Sequence, residues 1–151
     1  MLIRNITRED IVSIKKIKTS LSDVVIYDRF NLQEKGLVDF IILLHTNKPV
    51  GFVLLRWQGK ETHLEYPDIE DLYIAENHRG KKFGTLLIKE CEKRVKESGF
   101  SKIGLAVNPK LNFQAKKLYE KLGYYHDGKK SYVDGIYNGT EDRVVDLEKE
   151  L

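Results

Sequence analysis

The stretch from residue 78 to residue 99 constrains the fold of this chain more than any other. Phe83, Leu87, Cys91 and Val95 recur every four residues, the spacing of one buried helix face. Lys93, Arg94 and Lys96 fall in its last turns, where cations suit the helix dipole, and Gly99 supplies the stop. A helix from about Gly80 to Ser98 needs an apolar surface to cover, and the sequence on either side supplies sheet. Phe40 to Thr46 and Val50 to Trp57 are β-rich runs separated by Asn47-Lys48-Pro49, a hairpin signal. Gln58-Gly59-Lys60 then turns into a third run, Thr62 to Ala75. Beyond the helix, Ile103 to Val107 reads as a short buried strand and Leu111 to Leu122 as a second amphipathic helix ended by Gly123. Tyr124 to His126 and Arg143 to Leu147 read as closing strands.

Ahead of the meander, Leu2 to Ile6 reads as a strand and Thr7 as the cap of a helix with Asp10 at its third position. Ile11, Ile14, Ile17 and Leu21 form the buried stripe of that helix, and Ser22 to Gly36 reads as a second, irregular helix. The order is three meander strands, then β-α-β-α-β-β. That is an α/β chain with a mixed, mostly antiparallel central sheet and helices on both faces. No repeat, low-complexity stretch or linker interrupts the 151 residues, so one domain over 1–151 is expected.

Several function classes are disfavoured by composition. The single cysteine, Cys91, permits no internal disulfide, and His45, His63, His78 and His126 are too scattered for metal-ligand spacing, so no metal is expected. Lysine and arginine total 26 against 23 acids, a net charge of +3, which is too balanced for a dedicated nucleic-acid binder. The N-terminus lacks an apolar signal segment, and no apolar run is long enough to span a membrane. A cytoplasmic protein without a membrane partner is expected.

Two segments carry chemistry. The first is His78-Arg79-Gly80-Lys81-Lys82-Phe83-Gly84-Thr85, at the start of the long helix. A helix N-terminus presents free N–H groups and partial positive charge, Gly80 and Gly84 allow close approach, and Arg79, Lys81 and Lys82 add formal charge. A pyrophosphate suits such a loop, although a plain surface turn has the same composition. The second is Asn112 to Tyr124. Seven residues are almost two helical turns, so Asn112 and Tyr119 share a face that the small Ala115 leaves open. A phenol there can protonate a departing thiolate, or it can be an ordinary interfacial tyrosine.

Together these motifs resemble the GNAT superfamily of N-acetyltransferases. Ile69-Glu70-Asp71-Leu72-Tyr73-Ile74 followed by Arg79 to Thr85 is one match, and Asn112-x-x-Ala-x-x-Leu-Tyr119 ending in Gly123-Tyr124 is the other. Lys82 stands where the family loop has its first glycine, a departure without consequence unless position 82 requires a positive φ. The resemblance implies the acyl-CoA N-acyltransferase fold, acetyl-CoA as donor and an amine as acceptor. The backbone of Leu72, Tyr73 and Ile74 would bond the pantetheine arm, and Arg79, Gly80, Lys81, Lys82, Phe83, Gly84 and Thr85 would hold the pyrophosphate. Asn112 would contact the cosubstrate, and Tyr119 would be the acid for the leaving thiolate. Family members often dimerise, so a homodimer formed through an exposed sheet edge is compatible with it.

An alkylammonium must lose a proton before its nitrogen can attack a thioester. Glu70 is the first choice of base, with Asp71 or a water relay as alternatives; these acids can instead pair with Arg56. In a regular strand Asp71 points to the face opposite Glu70, and a β-bulge would re-aim either one. Ser131 to Asp142 offers tyrosines and carboxylates for an acceptor pocket, or else a polar turn built on Asp134-Gly135 and Asn138-Gly139. The acceptor stays open. The leading expectation is direct acetyl transfer to a primary amine of a small molecule or peptide. A non-catalytic acyl-CoA-binding sensor is the alternative, and a nucleic-acid module using Lys81, Lys82, Lys116 and Lys117 ranks below both.

Overall fold

The computed structural model describes residues 1–151. In chain order its elements are β1 (Leu2–Asn5), α1 (Ile11–Ile17, entered through a 3-10 turn at Arg8–Asp10), α2 (Asp23–Glu34), β2 (Val38–His45), β3 (Lys48–Arg56) and β4 (Asp68–Ile74). Then come α3 (Phe83–Glu97), β5 (Lys102–Val107), α4 (Phe113–Lys121), β6 (Tyr125–His126), β7 (Tyr132–Tyr137) and β8 (Thr140–Glu150). The sheet runs β1-β2-β3-β4-β5-β8-β6, with β7 also paired to β8. Every pairing is antiparallel except β4 with β5.

β2 and β3 are almost continuously apolar because both faces of the sheet are covered. Alternate residues serve opposite layers. Phe40, Ile42, Phe52 and Leu54 pack with Ile14, Ile26 and Phe30 of α1 and α2. Ile41, Leu43, Val53 and Leu55 pack with Leu87, Ile88, Cys91 and Val95 of α3. Leu87, Ile88 and Val95 are fully buried, and each such side chain contributes roughly 1.5–3 kcal/mol of burial. The four-residue stripe therefore faces the core as expected, and Gly99 and Gly123 take positive φ (95° and 100°) just past α3 and α4.

Several boundaries differ from the sequence reading. The first hairpin turns one residue early, on Thr46 and Asn47, both at positive φ (51° and 63°), so Lys48 and Pro49 belong to β3. Paired positive φ values match the twist of a two-residue hairpin. The helix expected from Gly80 begins at Phe83, which leaves Gly80 to Lys82 as a loop ahead of it. Residues 22–36 form a regular helix, α2, with Ser22 Oγ accepting the Val25 N–H at its start. Only Asp68–Ile74 of the third run is strand; residues 57–67 form a loop folded back across the sheet. Finally, the polar tail is a hairpin of β7 and β8 turning on Asn138 and Gly139, with Asp134-Gly135 inside β7 at a register shift.

The sheet is not continuous at its middle. β4 and β5 pair only at Asp68–Gly104 and Ile69–Leu105, so the edge of β4 from Glu70 to Ile74 is unpaired on that side. On its other side the β3 register jumps from Leu54–Glu70 to Phe52–Tyr73. Asp71 and Leu72 thus oppose Val53 alone, a β-bulge with Asp71 at φ 48°. No helix is long and apolar enough to cross a membrane.

Candidate active site

Where β4 and β5 part, a cavity of about 850 Å³ opens. It is walled by both layers of the fold: β4 from Asp68 to Leu72, the end of β5, the α1–α2 connection, the inner face of α4, and the β7–β8 hairpin. Such a cleft at a break in the sheet is a usual place for a ligand.

Asn112, Ala115 and Tyr119 all line this cavity, as the seven-residue spacing predicts. Tyr119 is half-buried and its hydroxyl makes no hydrogen bond within the chain, whereas Tyr124 nearby donates to Glu92 at 2.8 Å. Burial pushes the Tyr119 phenol above its ordinary range, so it stays protonated and able to donate. Asn112 precedes α4, and its own N–H donates to the Asn108 carbonyl at 2.8 Å.

Leu72, Tyr73 and Ile74 lie on the unpaired edge of β4. Leu72 and Ile74 turn their side chains to the α3 layer, and Tyr73 stacks on Phe52 in the other (centroids 5.8 Å apart). At the end of this strand the chain enters the glycine loop. Leu86 is the first residue of α3 whose N–H finds a helical acceptor, Lys82 O at 3.2 Å; the N–H groups from Gly80 to Thr85 have none. Lys81 and Lys82 are exposed and in no ion pair. Phe83 is buried between His45 and His78, so it presents only its backbone to a ligand. Arg79 folds back instead: its Nε donates to the Ile74 carbonyl at 2.9 Å, and its guanidinium lies over Tyr73 at 5.2 Å. Position 82 does require a positive φ. Lys82 sits at φ 66°, ψ 17° at the helix start, a left-handed conformation that costs an L-residue roughly 1–2 kcal/mol.

Glu70 and Asp71 both line the cavity. The bulge turns Asp71 to the same side as Glu70, where it pairs with Lys18 (2.6 Å) and Arg29 (2.9 Å). Glu70 is held by Arg56, Nε to Oε1 at 3.0 Å and Nη2 to Oε2 at 3.3 Å. The pairing weighed from sequence is thus present, and both Glu70 oxygens are occupied by the Arg56 guanidinium.

Three features of this cavity were missed from sequence. Asn108 closes the β5–α4 loop, its Oδ1 accepting the N–H groups of Lys110 and Leu111 and its Nδ2 donating to Asp142 at 2.9 Å. Lys60 reaches across to Asp134 at 2.9 Å and lies over the Tyr132 ring. Asp68 is almost fully buried, with His63 Nε2 at 3.0 Å from its Oδ1. Its position two residues before Glu70 was the available signal, because strand residues i and i+2 share a face.

Comparison with solved structures finds the same fold. A ribosomal-protein-alanine N-acetyltransferase from Brucella melitensis superposes with a TM-score of 0.79 at 18% identity, over 100% of both chains. The PaiA N-acetyltransferase from Thermoplasma acidophilum, solved with coenzyme A, gives 0.74 at 17% over 99% of this chain and 98% of that one. A GNAT phosphinothricin acetyltransferase from Sinorhizobium meliloti, solved with acetyl-CoA, gives 0.78 at 18% over 99% and 88%. No curated protein matches the sequence significantly. Residues 6–124, which hold the parted strands, the glycine loop and the Asn112–Tyr119 face, match the acetyltransferase (GNAT) family, and the chain belongs to that family.

Proposed function

We propose that the chain transfers the acetyl group of acetyl-CoA directly to a primary amine of a small molecule or peptide. The observation that carries this reading is the unpaired β4 edge opening into one cavity that also holds the free Tyr119 hydroxyl. An extended arm can add to such an edge as a further strand would, taking the backbone groups of Leu72, Tyr73 and Ile74. The amides from Gly80 to Thr85, with Lys81 and Lys82 beside them, suit a pyrophosphate. Asn112 would meet the cosubstrate across the split. A β4 N–H aimed at the thioester oxygen would stabilise the charge that develops there. Tyr119, held protonated by burial, would give its proton to sulfur as the C–S bond breaks. Cys91 is fully buried and burial pushes its thiol up, which favours direct transfer over an acyl-enzyme. The cavity wall offers carboxylates, Glu70 among them, for the proton of the acceptor ammonium.

The test is a mass-spectrometric screen with acetyl-CoA against polyamines, aminoglycosides, amino acids and peptide N-termini. With the amine that reacts fastest, Tyr119→Phe is expected to turn over about 10²–10⁴-fold more slowly while still binding acetyl-CoA. Acetyl-CoA binding with no amine acetylated would favour the sensor, and unchanged turnover in the variant would remove Tyr119 as the acid.

A further inference from the structure

Five carboxylates line the cavity: Asp68, Glu70, Asp71, Asp134 and Asp142. Glu70 is held through both oxygens by Arg56, Asp71 by Lys18 and Arg29, and Asp134 by Lys60. Asp142 is half-exposed and accepts an amide hydrogen from Asn108. Asp68 differs in being buried with no lysine or arginine paired to it. Its side chain is 1% exposed and its Oδ2 has no partner in the chain. Its Oδ1 meets His63 Nε2 at 3.0 Å, while His63 Nδ1 sits 3.2 Å from the Tyr66 carbonyl. The carbonyl only accepts, so Nδ1 carries a proton, and one further proton is shared between Nε2 and Oδ1. That leaves Oδ2 as the free basic atom of the pair. A buried polar atom without a partner is uncommon enough to call for an explanation.

We infer that Asp68 Oδ2, supported from behind by His63, receives the proton of the acceptor ammonium in place of Glu70. This rests on the acetyl-transfer reading above. Both acids lie on one face of β4 and line the one cavity, and because Asp68 Oδ2 is buried in its wall the acceptor's proton reaches it through one water. Two protons leave that nitrogen. The first passes to Asp68 and frees the lone pair; the C–N bond then forms at the thioester carbon and the C–S bond breaks. Sulfur takes its proton from Tyr119, the second nitrogen proton restores Tyr119, and the proton on Asp68 is the one released to solvent.

The charged and titratable groups that face this pair come from the loop and from four strands. They are Lys60 and Tyr66 of the loop, Glu70 on the same strand, Arg56 opposite on β3, Asp146 on β8, and Tyr132 and Asp134 on β7. Burial, the largest effect, lifts the Asp68 carboxyl to about 6 against the opposing pull of His63 and Lys60, which suits a base working near neutral pH.

Two measurements test the inference. The first is carboxyl ¹³C NMR of aspartate-labelled protein without acceptor. A signal absent from Asp68→Asn is expected to titrate near pH 6, with its midpoint displaced in His63→Gln. The second is the pH–rate profile with the best amine. Asp68→Asn is expected to lose about 10²–10³-fold at neutral pH, keep its acetyl-CoA affinity, and recover as the pH nears the amine's own pKa of about 10. The inference is overturned if the Asp68 signal shows ionisation persisting to about pH 4, or if Asp68→Asn keeps the wild-type profile. A uniform loss at every pH, or alkaline recovery in Glu70→Gln and not in Asp68→Asn, also overturns it. A wild-type chain that binds acetyl-CoA and acetylates no amine overturns the transferase reading itself, and this inference with it.

Discussion

Lys82 offers the sharpest test of backbone strain in the glycine loop. Its φ of 66° and ψ of 17° place a Cβ where the left-handed region disfavours one, at roughly 1–2 kcal/mol. Glycine would remove that strain, yet it has more backbone freedom to lose on folding, about 0.5–1 kcal/mol. The difference favours Lys82→Gly by about 0.5–1 kcal/mol. In a domain of this size 1 kcal/mol moves the melting midpoint by roughly 2–4 °C, so a rise of about 1–4 °C is expected by scanning calorimetry. Lys82→Ala is the control, because it removes the amine and keeps the Cβ. It should stay within about 0.5 kcal/mol of wild type, as exposed substitutions usually do. Both variants lose one exposed cation beside the free loop amides. Both should therefore bind CoA more weakly at low ionic strength, by a margin that shrinks as salt screens it. If Lys82→Ala stabilised the protein as much as Lys82→Gly, the relief would come from spacing apart the charges of Arg79, Lys81 and Lys82, and the backbone argument would be refuted. A fall in melting temperature for Lys82→Gly would refute it outright.

Two further outcomes follow from packing and charge. At Gly104 an added Cβ would stand 2.9 Å from Tyr66 Cε2 and 3.0 Å from His63 Cε1, rings that stack on each other at 4.3 Å. Gly104→Ala should cost about 1–3 kcal/mol by overpacking and raise proteolytic cutting within residues 57–67; an unaltered melting curve would show that the loop does not rest on β5. Asp10 is buried, accepts the Thr7 N–H at 2.7 Å, and takes two hydrogen bonds from Arg4 at 2.7 and 2.9 Å. Hydrogen bonding from Arg4 leads in holding its carboxyl below the usual range. A depressed carboxylate stabilises the fold above its unfolded pKa, and that contribution is lost as pH falls through the folded one. Asp10→Asn should therefore cost about 1–2 kcal/mol in urea melts at neutral pH, with the gap narrowing below about pH 4; a gap independent of pH would contradict the assignment.

What could be read in advance was decided by how local the evidence was. The α3 stripe and the paired α4 positions Asn112 and Tyr119 are set by helical periodicity alone, and both came out where the spacing put them. β2 and β3 were visible because burial on both faces leaves an unbroken apolar run. α2 was blurred because Val24, Val25 and Tyr27 are exposed while only Ile26 and Phe30 are buried, so its apolar residues trace no stripe. β7 was missed because Ile136 and Tyr137 face solvent and the strand pairs only with β8. Residues 62–67 read as the start of the third strand. They are held instead by distant partners, Tyr66 on Glu148 and Thr62 on Asp146, which no window along the chain contains. The φ of Lys82 was invisible for a simpler reason: lysine carries no preference for the left-handed region.

The bulge at Asp71 links the two halves of the site. In a regular strand of the same residues, Asp71 would point into the apolar layer under α3, and Leu72 and Ile74 would leave it. With the bulge, those two stay packed against the α3 cluster while Asp71 turns to Lys18 and Arg29. A bulge also bends and twists its strand, and β4 loses β5 immediately before it, after Ile69. The residue that re-aims the charge thus coincides with the opening of the strand edge. Asp71 and Lys82 are the two non-glycine residues at positive φ between Asn47 and Asn138. Asp71 immediately precedes the residues proposed to grip acetyl-CoA, and Lys82 lies among them at the mouth of α3. Strained backbone persists where surrounding structure holds it and the site gains from the geometry. At Asp71 two cations hold it, and at Lys82 the buried Phe83 and the start of α3 do.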